Sequence, residues 1–402
     1  MKYLSMLLIA GVCGAILSGA VCYGESMGGD PFEFSVFVQG VYTDNRDASE
    51  VNEEDNFDMI VKPRMDAIAD WERTVLDFYY APAFRYRSDP AADQQEGEWY
   101  HDAGLNLDHR MTPRLTLRVN EKFDYTENPA VEDGGARLGE ERLFLLNTVR
   151  ASALCQITRQ AHLDIYGRHK MKSYDDDIVG ERLNEERRDI GAKLWHNLQR
   201  TQAVYVEGRT SMFEYDSPGG IERDFDMVSG SVGMENVFSE HMRGSVAAGW
   251  QWQEFKDPGL DKQDAFYGEA VLQGSLSPRT RLTGQIEHAI RDADAYPYAA
   301  QEYTSYFGEI EWDATAAVTL SLWAKYLSGN YDYSAPTTAP VSEFTGSFTG
   351  GEENTVVAAL ESSYEINEQT AIRVMQHLED VDSDVSQSFT RNTTSVTLSR
   401  HF

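Results

Sequence analysis

Alternation with a period of two runs through nearly the whole chain, and it constrains the fold more than any other feature. From Leu115 to Tyr125, the residues Leu115, Leu117, Val119, Phe123 and Tyr125 fall on one face of an extended chain; Thr116, Arg118, Asn120, Lys122 and Asp124 fall on the other. Successive side chains of a β-strand point to opposite faces, so the pattern is that of strands. A helix would need apolar residues at i, i+3, i+4 and i+7, and they are missing. Further apolar faces are Phe34, Val36, Val38, Gly40 and Tyr42; Leu76, Phe78, Tyr80, Pro82, Phe84 and Tyr86; and Val318, Leu320, Leu322, Ala324 and Tyr326.

The connections between these segments come in two kinds. Short turns of similar composition sit at Trp71-Glu72-Arg73, Met111-Thr112-Pro113-Arg114, Ile157-Thr158-Arg159, Asn197 to Thr201, Ser239-Glu240-His241, Leu276-Ser277-Pro278-Arg279, Asp313-Ala314-Thr315 and Asn367-Glu368-Gln369. They lie roughly 40 residues apart, so each repeat holds two strands, one short turn and one longer loop. The longer connections are acidic and rich in Gly, Pro, Asn and Asp: Asp44 to Asp55, Asp89 to Glu98, Glu127 to Glu141, Asp175 to Glu186, Asp257 to Lys262 and Asp292 to Glu302. Counting strands gives eighteen, with sixteen as the alternative: 32–43, 57–70, 73–87, 98–110, 114–126, 141–156, 160–174, 185–198, 201–215, 225–238, 242–255, 264–276, 280–292, 303–313, 316–331, 354–366, 370–379 and 390–402. Alternating short and long connections are the up-and-down pattern of an antiparallel transmembrane β-barrel, with short periplasmic turns and long outer loops.

The start of the chain sets the compartment. Lys2 is followed by an uncharged, largely apolar stretch from Leu4 to Val21 and then by small residues up to Gly24. This is the layout of a cleaved secretory signal, assigned to residues 1–24, with 25–402 as the barrel domain. No later window is long and apolar enough for a membrane helix. Any membrane crossing therefore has to be made by a closed barrel, because only helices and closed barrels satisfy every backbone group in lipid. The mean hydropathy of −0.48 agrees with strands that are apolar on one side only. Cys13 and Cys22 leave with the signal, and Cys155 then stands alone, which excludes an intramolecular disulfide and a cysteine-based metal cluster. The net charge of −31 excludes nucleic acid as a partner, since phosphate backbones need basic patches.

The last strand is apolar on one face through Thr394, Val396, Leu398 and Phe402, and the chain ends on that phenylalanine. A terminal aromatic on an alternating strand resembles the signal read by the barrel assembly machinery; Arg400 departs from it, standing where an apolar residue is usual. With the signal peptide, the turn-then-strand units Met111 to Tyr125 and Leu276 to Ile290, the acidic loops and Phe402, the mature chain resembles the bacterial outer-membrane family called putative beta-barrel porin 2. The resemblance implies an outer-membrane, channel-like barrel without a catalytic motif.

An eighteen-stranded barrel is wide enough to leave an aqueous lumen. Alternation turns a definite set of charged residues inward: Lys62, Arg64 and Asp66; Arg85 and Arg87; Arg118 and Lys122; Arg150; Arg168, Lys170 and Lys172; Arg187, Asp189 and Lys193; Glu207 and Arg209; Arg243; Arg281, Glu287 and Arg291; Glu309 and Glu311; Lys325; Glu361; and Arg373. Both signs are present, and basic residues outnumber acidic ones, above all between strands five and nine. The negative excess then belongs mostly to the outer loops. Aromatic girdles are expected at Tyr42, Phe57, Tyr86, Trp99, Tyr125 and Tyr326 near the outer ends, and at Trp71, Phe238, Trp312, Tyr364 and Phe402 near the turns.

Other chemistry was sought in the same residues. His162 is expected inward, His101 and His288 outward, and His241 and His401 at the periplasmic rim; none shares a strand face with a nucleophile and a carboxylate at reachable spacing. Asp175, Asp176, Asp177 and Glu181 carry calcium-type oxygen ligands but lack the spacing and glycine of a calcium loop, so a solvated acidic loop is expected. The connection from Asp332 to Glu353 differs from the others in its low charge and its Pro336, Pro340, Phe344 and Phe348; an outer tip is expected, with an inward fold that narrows the pore as the alternative. The expectation is a non-enzymatic, cofactor-free channel passing small hydrophilic solutes through outer-membrane lipid, weakly preferring cations, one chain closing one barrel. Its rivals are a barrel serving exopolysaccharide secretion and a barrel enzyme or surface adhesin.

Overall fold

The structure, a computed structural model, describes residues 31–51, 53–90, 95–127, 142–216, 222–257, 262–293, 298, 300–331 and 350–402. Residues 1–24 and 332–349, assigned above to a signal and to an outer tip, lie outside them.

The eighteen strands are β1 (Phe32–Thr43), β2 (Asn56–Trp71), β3 (Thr74–Arg87), β4 (Gly97–Thr112), β5 (Leu115–Thr126), β6 (Phe144–Gln156), β7 (Ala161–Tyr174), β8 (Glu185–Asn197), β9 (Gln202–Tyr215), β10 (Phe225–Ser239), β11 (Met242–Phe255), β12 (Gln263–Ser277), β13 (Thr280–Asp292), β14 (Ala300–Asp313), β15 (Val318–Tyr331), β16 (Gly351–Asn367), β17 (Thr370–Ser383) and β18 (Phe389–His401). Each pairs antiparallel with its chain neighbours, and β1 pairs with β18 from Ser35↔His401 to Thr43↔Thr393. The sheet is thus a ring of eighteen strands, not sixteen, with no unpaired edge for another chain to extend.

Six of the eight short turns share a hydrogen bond that explains their composition. A side-chain oxygen accepts from the backbone N–H two residues on: Thr112 from Arg114, Thr158 from Gln160, Ser239 from His241, Ser277 from Arg279, Thr315 from Ala317 and Asn367 from Gln369. Ser, Thr and Asn close such turns because their short polar side chains reach the local backbone. Four strands shift register beside these turns, at Arg110/Thr112, Val237/Ser239, Ser275/Ser277 and Glu365/Asn367. Such bulges bend and twist a strand where the wall turns back.

Most strand ends match the alternation to within a residue or two. Three outer connections are shorter than expected: β14 starts at Ala300, β16 at Gly351, and β17 runs on to Ser383. Their acidic residues read as loop, yet Glu353 pairs with Ser383 and Asn354 with Asp382 in a regular ladder. Acidic composition at these ends does not mark the end of the strand: Glu353 and Glu379 are fully buried on one face of the sheet, while Glu352 is exposed on the other. The connection from Asp175 to Glu186 also holds a short helix, α1 (Asp177–Leu183), capped by Asp176, whose carboxylate accepts from the amides of Ile178 and Val179.

There is no single core. Large apolar side chains such as Val206, Val232, Leu322, Leu360, Val396 and Leu398 are about half exposed on the outside of the ring. Buried clusters sit towards the long connections: Phe213, Tyr215, Phe225 and Met227, and Phe144, Leu146, Tyr174 and Leu183. Apolar residues outside and charge inside is the arrangement lipid demands of a barrel.

Candidate pore lining

Residues directly opposite in an antiparallel ladder share a face, so the register carries one face around the whole ring. Leu282 pairs with Ile310, Ile310 with Leu322 and Leu322 with Leu360. Beyond β17, Val374 pairs with Val396, and Leu398 with Val38, which meets Val61. Val61 pairs with Phe84 and Phe84 with Trp99, and further along the same strand as Trp99, Leu107 pairs with Val119. This apolar face returns to itself without conflict, which fixes the opposite face just as firmly.

That opposite face is the concave one, because its side chains reach over an intervening strand. Lys62 on β2 is 2.9 Å from Asp102 on β4; the Tyr166 hydroxyl on β7 donates to Glu207 on β9; the Trp195 indole on β8 donates to Glu235 on β10; and the Trp323 and His377 rings on β15 and β17 lie 5.9 Å apart. By this register Lys62, Arg64, Arg85, Arg118, Lys122, Arg150, Arg168, Lys170, Arg187, Lys193, Glu207, Arg209, Arg243, Arg281, Glu287, Glu309, Lys325, Glu361 and Arg373 all lie on the enclosed face.

Many of them are ion-paired along the wall. Arg64 binds Asp66, Arg85 binds Asp58, Arg118 meets Asp108 at 2.9 Å, and Arg373 meets Glu361 at 3.1 Å. Burial is uneven along the axis. Arg87, with Glu98, Glu127 and Tyr100 around its guanidinium, is fully buried towards the long connections, as are Gln301, Glu353 and Glu379. Arg118, Arg281 and Arg373, towards the short turns, stay about half exposed. The enclosed space is thus more crowded at its outer end.

Sequence reasoning missed a set of tyrosines. The rings of Tyr79, Tyr166 and Tyr205 lie flat against the wall over Gly104, Gly191 and Gly233 of the next strands, where a Cβ would come within 2.2–2.4 Å of them. Glycine inside a strand marks close approach of another group, and that was the available clue. Glu121 was also unplaced: it faces outward among apolar neighbours, accepting at 3.4 Å from Asn147 on β6.

The histidines fall on the expected sides, with one correction. His288, facing outward, does share a face with a hydroxyl and a carboxylate: its Nδ1 is 2.9 Å from Thr304 Oγ1 and its Nε2 3.2 Å from Glu302. The contact follows from the register, which sets His288 opposite Thr304. The surrounding amides belong to the β13–β14 ladder, which leaves no backbone donors to hold an oxyanion. The acidic run at Asp175 is also put to structural use, since Asp175 accepts from the Tyr125 hydroxyl and Asp176 caps α1.

A closed eighteen-stranded antiparallel ring, apolar outside and charged within, with alternating short and long connections, defines a porin-like outer-membrane barrel. Residues 23–402 match the sequence profile of the family described as Putative beta-barrel porin 2, and the chain belongs to that family. Among solved structures it is similar to Pseudomonas aeruginosa OpdK with vanillate, at 8% identity and a TM-score of 0.50, covering 92% of this chain and 99% of that one. It is also similar to Acinetobacter baumannii OccAB4, at 11% identity and a TM-score of 0.48, covering 93% and 99%. No curated protein sequence matches the chain.

Proposed function

We propose that this barrel is a passive channel for small hydrophilic solutes, weakly selective for cations, lined by the charged residues of its enclosed face and carrying no catalytic machinery. The observation that carries the reading is the closed ring with interleaved positive and negative side chains on its concave side. An enzyme or an adhesin has no need of a charged interior running from end to end. The cation preference is supported by the location of charge. On the enclosed face basic side chains are met by carboxylates such as Asp58, Asp102, Asp108 and Glu361, whereas the chain carries −31. The excess therefore lies largely in the outer connections, as in Asp44, Asp47, Glu50, Glu53, Glu54 and Asp55. Acidic groups around a mouth concentrate cations within a Debye length, about 10 Å at 0.1 M salt. In this reading residues 1–24 are removed on export, and Phe402, 70% exposed with its amide donating to the Phe34 carbonyl, is offered to the barrel assembly machinery. Stepwise ion currents from the purified barrel in a planar bilayer test the proposal; a correctly folded barrel without current would refute it.

A further inference from the structure

The inner wall changes character at β10 and β11. Along much of the ring the enclosed face carries charged side chains, paired as Lys62 is with Asp102 or Arg373 with Glu361. On these two strands the inward residues are small or neutral: Ser229, Ser231 and Gly233 stand opposite Gln251, Gly249 and Ala247. The fold does not require this, since glycine inside a strand weakens it. One step further towards the short turns, Glu235 stands opposite Ser245, and the wall holds a recess of about 440 Å³. That lies within the roughly 300–1,000 Å³ of small-molecule sites. Asn197, Gln199, Glu235, Arg243, Ser245 and Gln273 line it, with Arg200 of the β8–β9 turn beside them. Glu235 accepts from the Trp195 indole at 3.3 Å, and Arg243 donates twice to the Gln273 carbonyl oxygen, at 3.2 and 2.9 Å. The side-chain amides of Asn197 and Gln199, the NH2 group of Gln273 and the Ser245 hydroxyl make no hydrogen bond among the described residues.

We propose that this recess binds an uncharged, polyhydroxylated solute, a mono- or disaccharide, at the periplasmic end of the lumen. The proposal rests on the channel reading and names a class of solute for it. A sugar hydroxyl both donates and accepts, so its best partners offer the two functions together. A side-chain amide does so on one planar group, and Asn197, Gln199 and Gln273 bring three of them to one recess, with the Ser245 hydroxyl between. Glu235 only accepts and Arg243 only donates, and each is held by a neutral neighbour, Trp195 or Gln273, which leaves its other sites for a ligand. Ion pairs elsewhere on the wall, such as Arg118 with Asp108, already satisfy each other. The approach suits a neutral solute as well. Charged side chains give up their hydration at high cost, whereas the serines and glycines of β10 and β11 give it up cheaply.

Sucrose titrated into the folded barrel, in a detergent without a sugar headgroup and followed by saturation-transfer NMR of the sugar, tests the site; bilayer currents from the same preparation test the channel. The parent barrel should bind sucrose, and equally at 0.1 and 1 M KCl, because screening does not act on an uncharged ligand. Asn197→Ala and Gln273→Ala should each weaken binding about two- to tenfold, the value of one hydrogen bond. Asn120→Ala removes an amide from the wall of β5 and its bond to Asn106, and should leave binding as it was. None of these side chains belongs to a strand ladder, so each variant should keep the circular dichroism of the parent. Triethylene glycol accepts along its length but donates only at its ends, and should bind about tenfold or more weakly. No binding by the parent barrel, binding lost at 1 M KCl, equal weakening by Asn120→Ala or equal binding of triethylene glycol would each overturn the sugar site. Current without sucrose binding would overturn the site while sparing the channel; binding without current would refute the channel and leave the site in place.

Discussion

For a single residue, the pleat decides which solvent it meets. Val119 and Asn120 are adjacent in the chain but on opposite sides of the wall, Val119 opposite Leu107 and Ala151, Asn120 hydrogen-bonded to Asn106 on the concave side. Val119→Arg should destabilise the barrel by about 2–4 kcal/mol if it lies near the membrane midplane. Asn120→Arg should cost far less. Unfolding in denaturant from lipid vesicles measures both, and equal costs would contradict the assignment of faces. Gly191 makes a subtler case. A methyl group there would overlap the Tyr166 ring, and the ring is expected to swing off the wall towards the lumen. Gly191→Ala should therefore lower single-channel conductance while leaving the barrel folded. Unchanged conductance would show that the ring finds room along the wall.

Elements are delimited here by water and turn chemistry more than by propensity. The repeated side-chain-to-amide bond at the short turns, as from Arg279 N–H to Ser277 Oγ, is worth about 0.5–1.5 kcal/mol where it is well formed. Ser277→Ala should cost at most that much, seen as a small shift in the unfolding midpoint. The last strand has a second role in the proposed reading. Deleting Phe402 should reduce barrel yield in outer-membrane fractions without stopping export across the inner membrane. Full yield would show that the terminal aromatic is dispensable for assembly. The turn and strand chemistry was legible because it is local: period two, Ser or Thr at the turn and Gly or Pro beside it. The outer ends of β14, β16 and β17 were not, because an acidic strand end has the composition of an acidic loop. Helix α1 was missed because its seven residues form barely two turns and carry too little periodicity to stand out.

At the scale of the whole molecule, charge is sorted by height and by side. Under a KCl gradient, reversal potentials should show weak cation preference that grows as salt is lowered and fades near 1 M, where the Debye length falls to about 3 Å. Strong anion selectivity at low salt would mean that the inward arginines and lysines, and not the acidic mouth, set the field. Which side chains share a face was legible in the sequence, since alternation alone sets it, but the tyrosines and the carboxylates of Asp58, Asp102 and Asp108 on the enclosed face were not singled out. The pairing across that face was not legible. Asp189 lies between Arg168 and Arg187 only because β7 and β8 take one register, and Lys62 meets Asp102 only because the wall curves across β3.

The sequence by itself determined that the chain forms alternating strands joined by short and long connections, that sixteen to eighteen of them are available, and which side chains share a face. Those properties depend on neighbours in the chain, and period two carries them. Only the tertiary structure decided that β1 closes onto β18, that like charges meet across β6, β7 and β8, and that the lumen is more crowded at its outer end. Those depend on register and curvature, which bring together residues hundreds of positions apart, and no local pattern encodes them.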